Sequence, residues 1–317
     1  MKVVIVQKPS AEIEKTIRAT FPPEWKVVLT GPEGLRAEIA DADALIPEHH
    51  IVDEALLRSA PRLRIVQTGA GYDNVDLAAC ARRGIAVSNA AGINARAVAE
   101  HVFAFIFSWY KNIGHFDRIV KKDGWMDTAD RTGVLLSDKR IGIIGIGRIG
   151  REVARLARAF GMDVLGWGGR FLQEEPGIRP VDLETLLRES DIVTLHVSLN
   201  EQTRHLIGRP EFTRMKGDAC LVNTARGGVV DEAALFEALK EGGIGVACLD
   251  VFETEPLPAD SPLRSLPNVL LTPHVAGEPD SHKSITIRYR FFADNIRRVA
   301  AYEIPINVIT LPYPMPV

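Results

Sequence analysis

Short apolar runs alternate along the chain with segments whose apolar residues recur three and four positions apart. This alternation predicts βα units and parallel sheets. The predicted strands are Val3–Val6, Trp25–Leu29, Ala44–Ile46, Leu63–Thr68, Ile85–Ser88, Ile141–Gly145, Asp163–Trp167, Ile192–His196, Ala219–Asn223, Gly245–Asp250 and Val269–Leu271. The predicted helices are Ala11–Ala19, Gly34–Ala40, Asp53–Ser59, Asp76–Arg83, Ala95–Lys111 with a continuation through Lys122, Arg151–Phe160 and Ser281–Ala301.

The strands fall into two series, which predicts an α/β protein with two Rossmann-like or flavodoxin-like domains, each built on a doubly wound parallel sheet. A chain of 317 residues is a natural length for two domains. We expect residues 1–93 and 284–317 to form a substrate-binding (catalytic) domain and residues 94–283 to form a dinucleotide-binding Rossmann domain. The chain would cross between them twice and leave a cleft, which is a favoured ligand site. The Pro-rich tail is expected to pack as extended chain.

Three glycines, Gly145, Gly147 and Gly150, lie where a predicted strand meets a predicted helix. In such a junction one glycine makes the tight turn, one lets a pyrophosphate approach the backbone, and one lets the helix pack closely on the strand. The N–H groups at the start of the helix would bind phosphate. The pattern therefore predicts a dinucleotide site, and the alternative is a purely structural glycine turn.

Charge and cysteine content exclude several other classes. A net charge of −3 gives no reason to expect nucleic acid or an anionic membrane as a partner. Cys80, Cys220 and Cys248 are scattered in apolar surroundings, so we expect reduced thiols in a cytoplasmic protein and neither a disulfide framework nor a metal site. No apolar stretch is long enough to cross a bilayer.

Three candidate catalytic residues follow predicted strands of the second series: Arg226, Glu255 and His274. Ligands of open α/β sheets bind beyond the carboxyl ends of the strands, where these residues would meet. Guanidinium suits a carboxylate, and a glutamate bonded to one imidazole nitrogen leaves the other to transfer a proton. Taken singly, each has an ordinary alternative: a surface ion pair, a solvated loop acid or a structural histidine. A hydrolase using Cys220 or Cys248 is disfavoured, because both lie inside apolar strands.

Six longer segments carry a resemblance to a known family. They are Gly-Ile-Gly-Arg-Ile-Gly (145–150), Asn-Thr-Ala-Arg-Gly-Gly-Val-Val-Asp-Glu (223–232), Leu-Asp-Val-Phe-Glu-Thr-Glu-Pro (249–256), Leu-Thr-Pro-His-Val-Ala-Gly (271–277), Thr-Gly-Ala-Gly-Tyr-Asp-Asn-Val-Asp (68–76) and Asn-Ala-Arg-Ala-Val-Ala-Glu-His (94–101). They resemble the signatures of D-isomer-specific 2-hydroxyacid dehydrogenases. The resemblance implies the same split layout of two domains and a catalytic arginine, glutamate and histidine at Arg226, Glu255 and His274.

The resemblance also implies ligand contacts. Substrate would be bound by Gly69, Ala70 and Gly71, the last two through their backbone N–H groups, together with Arg226 and His274. The implied cofactor contacts, with the glycines and the end of the second strand included, are Gly145, Gly147, Arg148, Ile149, Gly150, Trp167, Gly168, Gly169, Arg170, His196, Val197, Ser198, Thr203, Thr224, Ala225, Arg226, Asp250, His274, Ala276 and Gly277.

The end of the second strand departs from the pattern of NAD-binding folds. Those folds place an acidic residue there, on the ribose 2′-hydroxyl. Here Gly168 takes that place, Asp163 begins the strand, and Arg170 lies just beyond it. A missing carboxylate and a nearby guanidinium favour NADP(H), with NAD(H) possible. The alternative is a permissive pocket with Arg170 in solvent.

Within the family, the pattern is most similar to glyoxylate and hydroxypyruvate reductases. It predicts hydride transfer between NAD(P)H and a small 2-oxo acid or D-2-hydroxy acid. The alternatives are a D-lactate-type, phosphite or phosphoglycerate dehydrogenase, or a dinucleotide-sensing binding protein that is not an enzyme. The apolar residues of 95–122, which include Phe103, Phe105, Phe107, Trp109 and Phe116, predict a homodimer.

Overall fold

The computed structural model describes residues 1–122, 124–125, 133–169, 171–173, 175–277 and 282–310. The chain divides into two compact units, Met1–Asn94 with Pro279–Val317 and Ala95–Glu278. Each unit holds one largely parallel sheet with helices, so the predicted α/β class with two parallel-sheet domains is confirmed. The roles expected for the two domains stay predictions.

The strands of both units are short and mostly buried, as expected for parallel sheets covered by helices. They are β1 (Lys2–Val6), β2 (Lys26–Thr30), β3 (Ala44–Ile46), β4 (Ile65–Thr68), β5 (Ala86–Asn89), β6 (Arg140–Ile144), β7 (Asp163–Trp167), β8 (Arg179–Pro180), β9 (Ile192–Leu195), β10 (Cys220–Asn223), β11 (Val246–Leu249), β12 (Val269–Leu271) and β13 (Val308–Thr310).

The helices of the described residues are α1 (Ala11–Arg18), α2 (Leu35–Glu38), α3 (Glu54–Arg58), α4 (Leu77–Arg82), α5 (Ala95–Tyr110), α6 (Ile113–Lys121), α7 (Arg148–Ala159), α8 (Leu183–Glu189), α9 (Arg209–Phe212), α10 (Glu232–Lys240) and α11 (His282–Ala300). Several begin where a side-chain oxygen accepts a backbone N–H of the first turn, which satisfies a donor that the helix cannot. The capping residues are Ser10, Asp53, Asp76, Asp182 and Asp231.

The sheet of the first unit has the order β13-β5-β4-β3-β1-β2. Its first five strands in the chain are parallel, in the flavodoxin-like order 2-1-3-4-5, and the order reverses between β1 and β3. The sixth strand, β13, pairs antiparallel with β5 and covers that edge. The sequence predicted only extended chain here, because a three-residue strand has too little periodicity to be recognised.

The sheet of the second unit has the order β12-β11-β10-β9-β6-β7-β8. It is parallel throughout and reverses order between β6 and β9, as in a dinucleotide-binding fold. Successive residues of β10 point to opposite faces, with Cys220 and Val222 in one apolar cluster and Leu221 in the other. Six strands were predicted, and the structure adds β8, an exposed two-residue edge strand that carries no apolar signal.

Candidate functional site

The glycine turn lies at the carboxyl end of β6, at the point where the sheet reverses order. Gly145 has φ +99°, and a Cβ there would lie 2.7 Å from the carbonyl oxygen of His196. A Cβ on Gly150 would lie 2.3 Å from the carbonyl oxygen of Gly145, so only glycine lets α7 pack on β6. Around Gly147, which precedes the first turn of α7, a Cβ would meet nothing within 4 Å. The first and third glycines therefore shape the turn, and the second leaves open space beside the N-terminus of the helix.

The end of β7 is also shaped by glycine. Gly168 has φ +68° with open space at its Cβ position, and Gly169 has φ +94° with its Cβ position 2.5 Å from the backbone nitrogen of Ile146. The predicted contact Arg170 lies outside the described residues. Asp163 begins β7 at the opposite end, where Arg140 donates to it at 2.8 Å.

Two buried polar atoms just beyond the carboxyl ends of β9 and β10 have no hydrogen-bond partner among the described residues: Nδ1 of His196 and Oγ1 of Thr224. The other ring nitrogen of His196 lies 2.9 Å from the hydroxyl of Thr194. Burial lowers the pKa of His196 to about 3, so the ring is neutral. Both residues were predicted cofactor contacts. Unsatisfied buried polar atoms and open space at Gly147 together fit a dinucleotide bound along these strand ends.

The loop after β9 follows His196 and carries three more of the predicted contacts. The hydroxyl of Thr203 donates to the carbonyl of Ser198 at 2.6 Å and accepts the N–H of Asn200 at 2.9 Å. Thr203 therefore stabilises the loop, and Val197 and Ser198 lie at its start. Arg148 and Ile149 are the first two residues of α7.

Arg226 lies in the loop after β10, held by the side chain of Asn223. The amide of Asn223 accepts the N–H of Ala225 at 3.0 Å and donates to the carbonyl of Arg226 at 3.0 Å. The guanidinium donates to the carbonyl of Ala225 at 2.7 Å. A Cβ on the next residue, Gly227, would lie 1.8 Å from the carbonyl carbon of Phe252, so the loops after β10 and β11 touch there.

Glu255 and His274 form a direct pair. Nδ1 of His274 lies 2.6 Å from Oε2 of Glu255, and the other carboxylate oxygen accepts the N–H of Phe252 at 3.0 Å. Burial raises the pKa of the Glu255 carboxyl, but these two hydrogen bonds, with the charges of His274 and Arg226, outweigh it and hold the pKa below its ordinary value. The carboxylate is therefore ionised through the neutral range. The pair leaves Nε2 of His274 as the nitrogen that Glu255 does not contact.

Asp250 anchors the loop that carries His274. Its buried carboxylate accepts the N–H groups of Val275 and Ala276, both at 2.9 Å, and the hydroxyl of Thr272 at 2.5 Å. Its carbonyl accepts the N–H of His274 at 2.8 Å. This loop places His274 in the left-handed region, at φ +55°. The predicted contact of Asp250 with the cofactor stays a prediction; the structure shows its carboxylate engaged in this anchor.

Sequence reasoning missed two residues beside this anchor, Thr272 and His101. Nε2 of His101, on α5, lies 3.1 Å from the hydroxyl of Thr272, which joins α5 to the His274 loop. Thr272 stands two residues before His274, so the sequence alone could have placed it near that side chain. His101 is 171 residues away from Thr272, and no local pattern indicates the contact.

The predicted substrate loop, Gly69–Gly71, follows β4 of the first unit. The carbonyl of Ala70 accepts the side-chain amide of Asn89 at 2.7 Å, and the carbonyl of Gly69 accepts the N–H of Ala90 at 2.9 Å. Both bonds point carbonyl groups toward the end of β5. The expectation that the N–H groups of Ala70 and Gly71 bind a carboxylate stays a prediction.

Other kinds of site receive no support from the described part of the chain. It contains no group of three or more His, Cys, Asp or Glu side chains placed to hold a metal ion. Cys80, Cys220 and Cys248 are buried and free, and burial raises the pKa of Cys80 to about 11. Among the described helices, none is long and apolar enough to span a membrane.

Comparisons with known proteins identify the family of this chain. The model of the D-isomer specific 2-hydroxyacid dehydrogenase NAD-binding domain matches residues 103–276. A glyoxylate reductase from Korarchaeum cryptofilum is 40% identical over 296 residues, which cover 91% of this chain and 86% of that protein. A glyoxylate/hydroxypyruvate reductase B from Yersinia pestis is 40% identical over 248 residues, 76% of each chain. The chain therefore belongs to the D-isomer specific 2-hydroxyacid dehydrogenase family of oxidoreductases, as its motifs predicted.

Solved structures with bound cofactors share the whole fold. An acyclic imino acid reductase in complex with NADPH and D-arginine superposes with a TM-score of 0.86 at 31% identity, covering 98% of this chain and all of that one (100%). A D-lactate dehydrogenase from Aquifex aeolicus, complexed with NAD and lactic acid, gives a TM-score of 0.84 at 30% identity, with 98% and 99% of the two chains covered. Relatives with this fold thus bind either form of the dinucleotide.

Proposed function

We propose that this protein reduces a small 2-oxo acid, glyoxylate or hydroxypyruvate, to the corresponding hydroxy acid, with NADP(H) as its preferred cofactor. The observation that carries the proposal is the 2.6 Å contact between His274 and an ionised Glu255, with the charge of Arg226 acting on the same carboxylate. A histidine fixed in this way is a general acid and base suited to a carbonyl or hydroxyl oxygen. The names of the 40% identical relatives support the choice of substrates.

In the reductive direction, His274 starts as the imidazolium. Glu255 accepts the proton on Nδ1 and fixes the ring orientation, so that Nε2 donates a proton to the developing alkoxide. Arg226 binds the substrate carboxylate with its planar donors and orients the carbonyl. Reduced nicotinamide, when bound, would supply the hydride. Oxidation of the hydroxy acid is the reverse, with neutral His274 as the base.

The cofactor preference rests on the end of β7. Glycine at position 168 leaves no carboxylate to repel a 2′-phosphate, and Asp163 is bonded to Arg140 at the other end of the strand. We expect kcat/KM to be higher with NADPH than with NADH. A clear preference for NADH would contradict this part of the proposal alone.

The catalytic assignment is tested by His274→Gln, which keeps a polar side chain but cannot carry the proton at neutral pH. Turnover of glyoxylate and hydroxypyruvate should fall by about 10²- to 10⁴-fold, the usual worth of general acid catalysis. His205→Gln is the matched control, since Nε2 of His205 also contacts a glutamate, Glu253, at 2.9 Å but on an exposed surface. Equal turnover in the two variants would remove His274 from its role.

We also propose a homodimer, as the sequence predicted, although two of the aromatic residues expected at its interface do not support it. Phe103 and Phe105 are buried within the core of the second unit, because α5 packs on the sheet there. The support comes instead from α6, none of whose residues is buried. Two of its apolar side chains, Ile113 and Val120, are 57% and 54% exposed to solvent. Light scattering should give twice the mass of the chain. A monomer that persists at high protein concentration would rule the dimer out.

A further inference from the structure

A second polar cluster lies at the reversal point of the other sheet, in the first unit. Gln7 follows β1, Glu48 follows β3, and these adjacent strands are the ones between which the order of the sheet reverses. In open α/β sheets, ligands bind beyond the carboxyl ends of the strands at such a point. The site described above occupies the corresponding place in the second unit, and it uses none of the residues of this cluster.

The centre of the cluster is an ion pair between Glu48 and Arg288, a residue of α11. Arg288 donates to Oε2 of Glu48, and the hydroxyl of Tyr289 lies 2.8 Å from Oε1 of Glu48 and 2.7 Å from Oε1 of Gln7. The Glu48 side chain is only 8% exposed and that of Arg288 is 23% exposed. The pair is therefore largely withdrawn from water but still reachable from one side.

This pair lies directly against the predicted substrate loop. Nη2 of Arg288 is 3.5 Å from the position that a Cβ on Gly69 would occupy. A small molecule bound on the Gly69–Gly71 loop would thus lie beside the guanidinium of Arg288, which is paired with the carboxylate of Glu48.

The backbone at Glu48 is held in an unfavourable conformation. Its φ is +48°, which is uncommon for a residue with a side chain. The side-chain amide of Asn74 donates to the carbonyls of Glu48 at 3.1 Å and His50 at 2.7 Å, which fixes the loop. Strained residues that the surrounding structure holds in place concentrate at functional sites. A surface ion pair alone would not need this arrangement.

We propose that the Glu48–Arg288 pair binds the substituent on C3 of the substrate and selects a short, uncharged polar group, the hydroxyl of hydroxypyruvate. The inference rests on the proposed function and on the Gly69–Gly71 loop as carboxylate site. A hydroxyl can donate to the carboxylate of Glu48 and accept from the guanidinium of Arg288 at the same time. A phosphate or a second carboxylate gains no net attraction from a neutral pair and is repelled by Glu48.

The test compares kcat/KM for pyruvate, hydroxypyruvate and 3-phosphohydroxypyruvate, which differ only at C3. The wild type should prefer hydroxypyruvate. Glu48→Gln keeps the size and an acceptor but removes the carboxylate charge that repels a phosphate, so the ratio of kcat/KM for phosphohydroxypyruvate to that for hydroxypyruvate should rise about tenfold or more. Partial unfolding would lower both values alike and leave this ratio unchanged.

The companion variant Arg288→Met removes the donor. It should lower kcat/KM for hydroxypyruvate about tenfold, the worth of one charge-assisted hydrogen bond, and change that for pyruvate much less. Arg290→Met, at an exposed position on the same helix, is the control and should leave all three values near the wild type.

Two results would overturn the inference while leaving the proposed function intact. One is an unchanged substrate ratio in Glu48→Gln, and the other is an equal loss on pyruvate and hydroxypyruvate in Arg288→Met. A wild type that reduces none of these acids, nor glyoxylate, with either cofactor would instead overturn the proposed function and this inference with it.

Discussion

The two sheets of this protein reverse strand order in the same way, but backbone lines the reversal point of one sheet and charged side chains line that of the other. In the second unit, backbone dominates: Gly145, Gly147 and Gly150 bring main chain to the surface of the turn. In the first unit, side chains dominate, with Glu48 and Arg288 at the centre. Backbone N–H groups suit the phosphates that every dinucleotide carries. Charged side chains suit a group that differs from one small acid to another. With the roles proposed above, one topological rule would support a general site and a selective one.

At the reversal point of the second sheet, which is lined by glycine, an added side chain should clash with the backbone and destabilise the fold. We expect the largest effect for Gly150→Ala. The new Cβ would lie 2.3 Å from the carbonyl oxygen of Gly145, so either α7 or β6 must move. We expect a loss of about 3 kcal/mol in the free energy of unfolding, the upper range for overpacking. Urea denaturation measures it. A loss below about 0.5 kcal/mol would show that the turn yields easily.

The neutral imidazole of His196 should make the same region sensitive to acid. Burial lowers the pKa of His196 to about 3, below the ordinary 6.5, so the unfolded chain binds a proton between these values and the folded chain does not. Stability from this group is full above pH 6.5 and falls toward pH 3, by about 3 kcal/mol at pH 4. His196→Asn should reduce the loss of unfolding free energy between pH 7 and pH 4. His115→Asn, at an exposed ring, should not.

Gly147→Ala separates ligand binding from folding at the same turn. Its Cβ would meet no protein atom within 4 Å, so we expect the free energy of unfolding to stay near that of the wild type. The added methyl would occupy space proposed for pyrophosphate, and the dissociation constant for NADPH should rise about tenfold, or ~1.4 kcal/mol. Unchanged affinity by titration calorimetry would mean that the pyrophosphate lies elsewhere.

At the reversal point of the first sheet, which is lined by side chains, a substitution should reduce the free energy of unfolding by less. The variant Tyr289→Phe tests this. The variant removes a buried hydroxyl that lies near both Gln7 and Glu48 but keeps the ring and its packing. We expect a loss of about 1 kcal/mol in the free energy of unfolding, the usual net worth of one hydrogen bond. A loss as large as that of Gly150→Ala would erase the contrast between the two regions.

Much of the fold and part of the site could be predicted from local patterns. Buried parallel strands are short runs of apolar residues, so β1 and β6 were recognisable, and the family signatures placed Glu255 and His274 on neighbouring loops. The structure brings these two side chains into contact. The cofactor and substrate roles of the predicted residues stay predictions.

The features that escaped prediction depend on contacts between distant residues or on very short elements. Glu48 and Arg288 are 240 residues apart, and neither stands in a motif. Phe103 and Phe105 were expected at an interface because α5 is apolar on most of its surface, and only the packed core shows that the second unit itself covers them. A three-residue strand such as β13 can be recognised only from its pairing with β5, which the sequence does not show.

The return of the chain to the first unit has a consequence for synthesis. The second unit is contiguous, Ala95–Glu278, whereas the first needs α11 and β13 as well as its opening residues. Domains fold as units while the ribosome elongates the chain. The first unit therefore cannot be completed, and the edge of β5 stays uncovered, until the whole second unit has been synthesised and α11 and β13 follow it. During that interval the unpaired edge of β5 is a template for pairing with a strand of another chain.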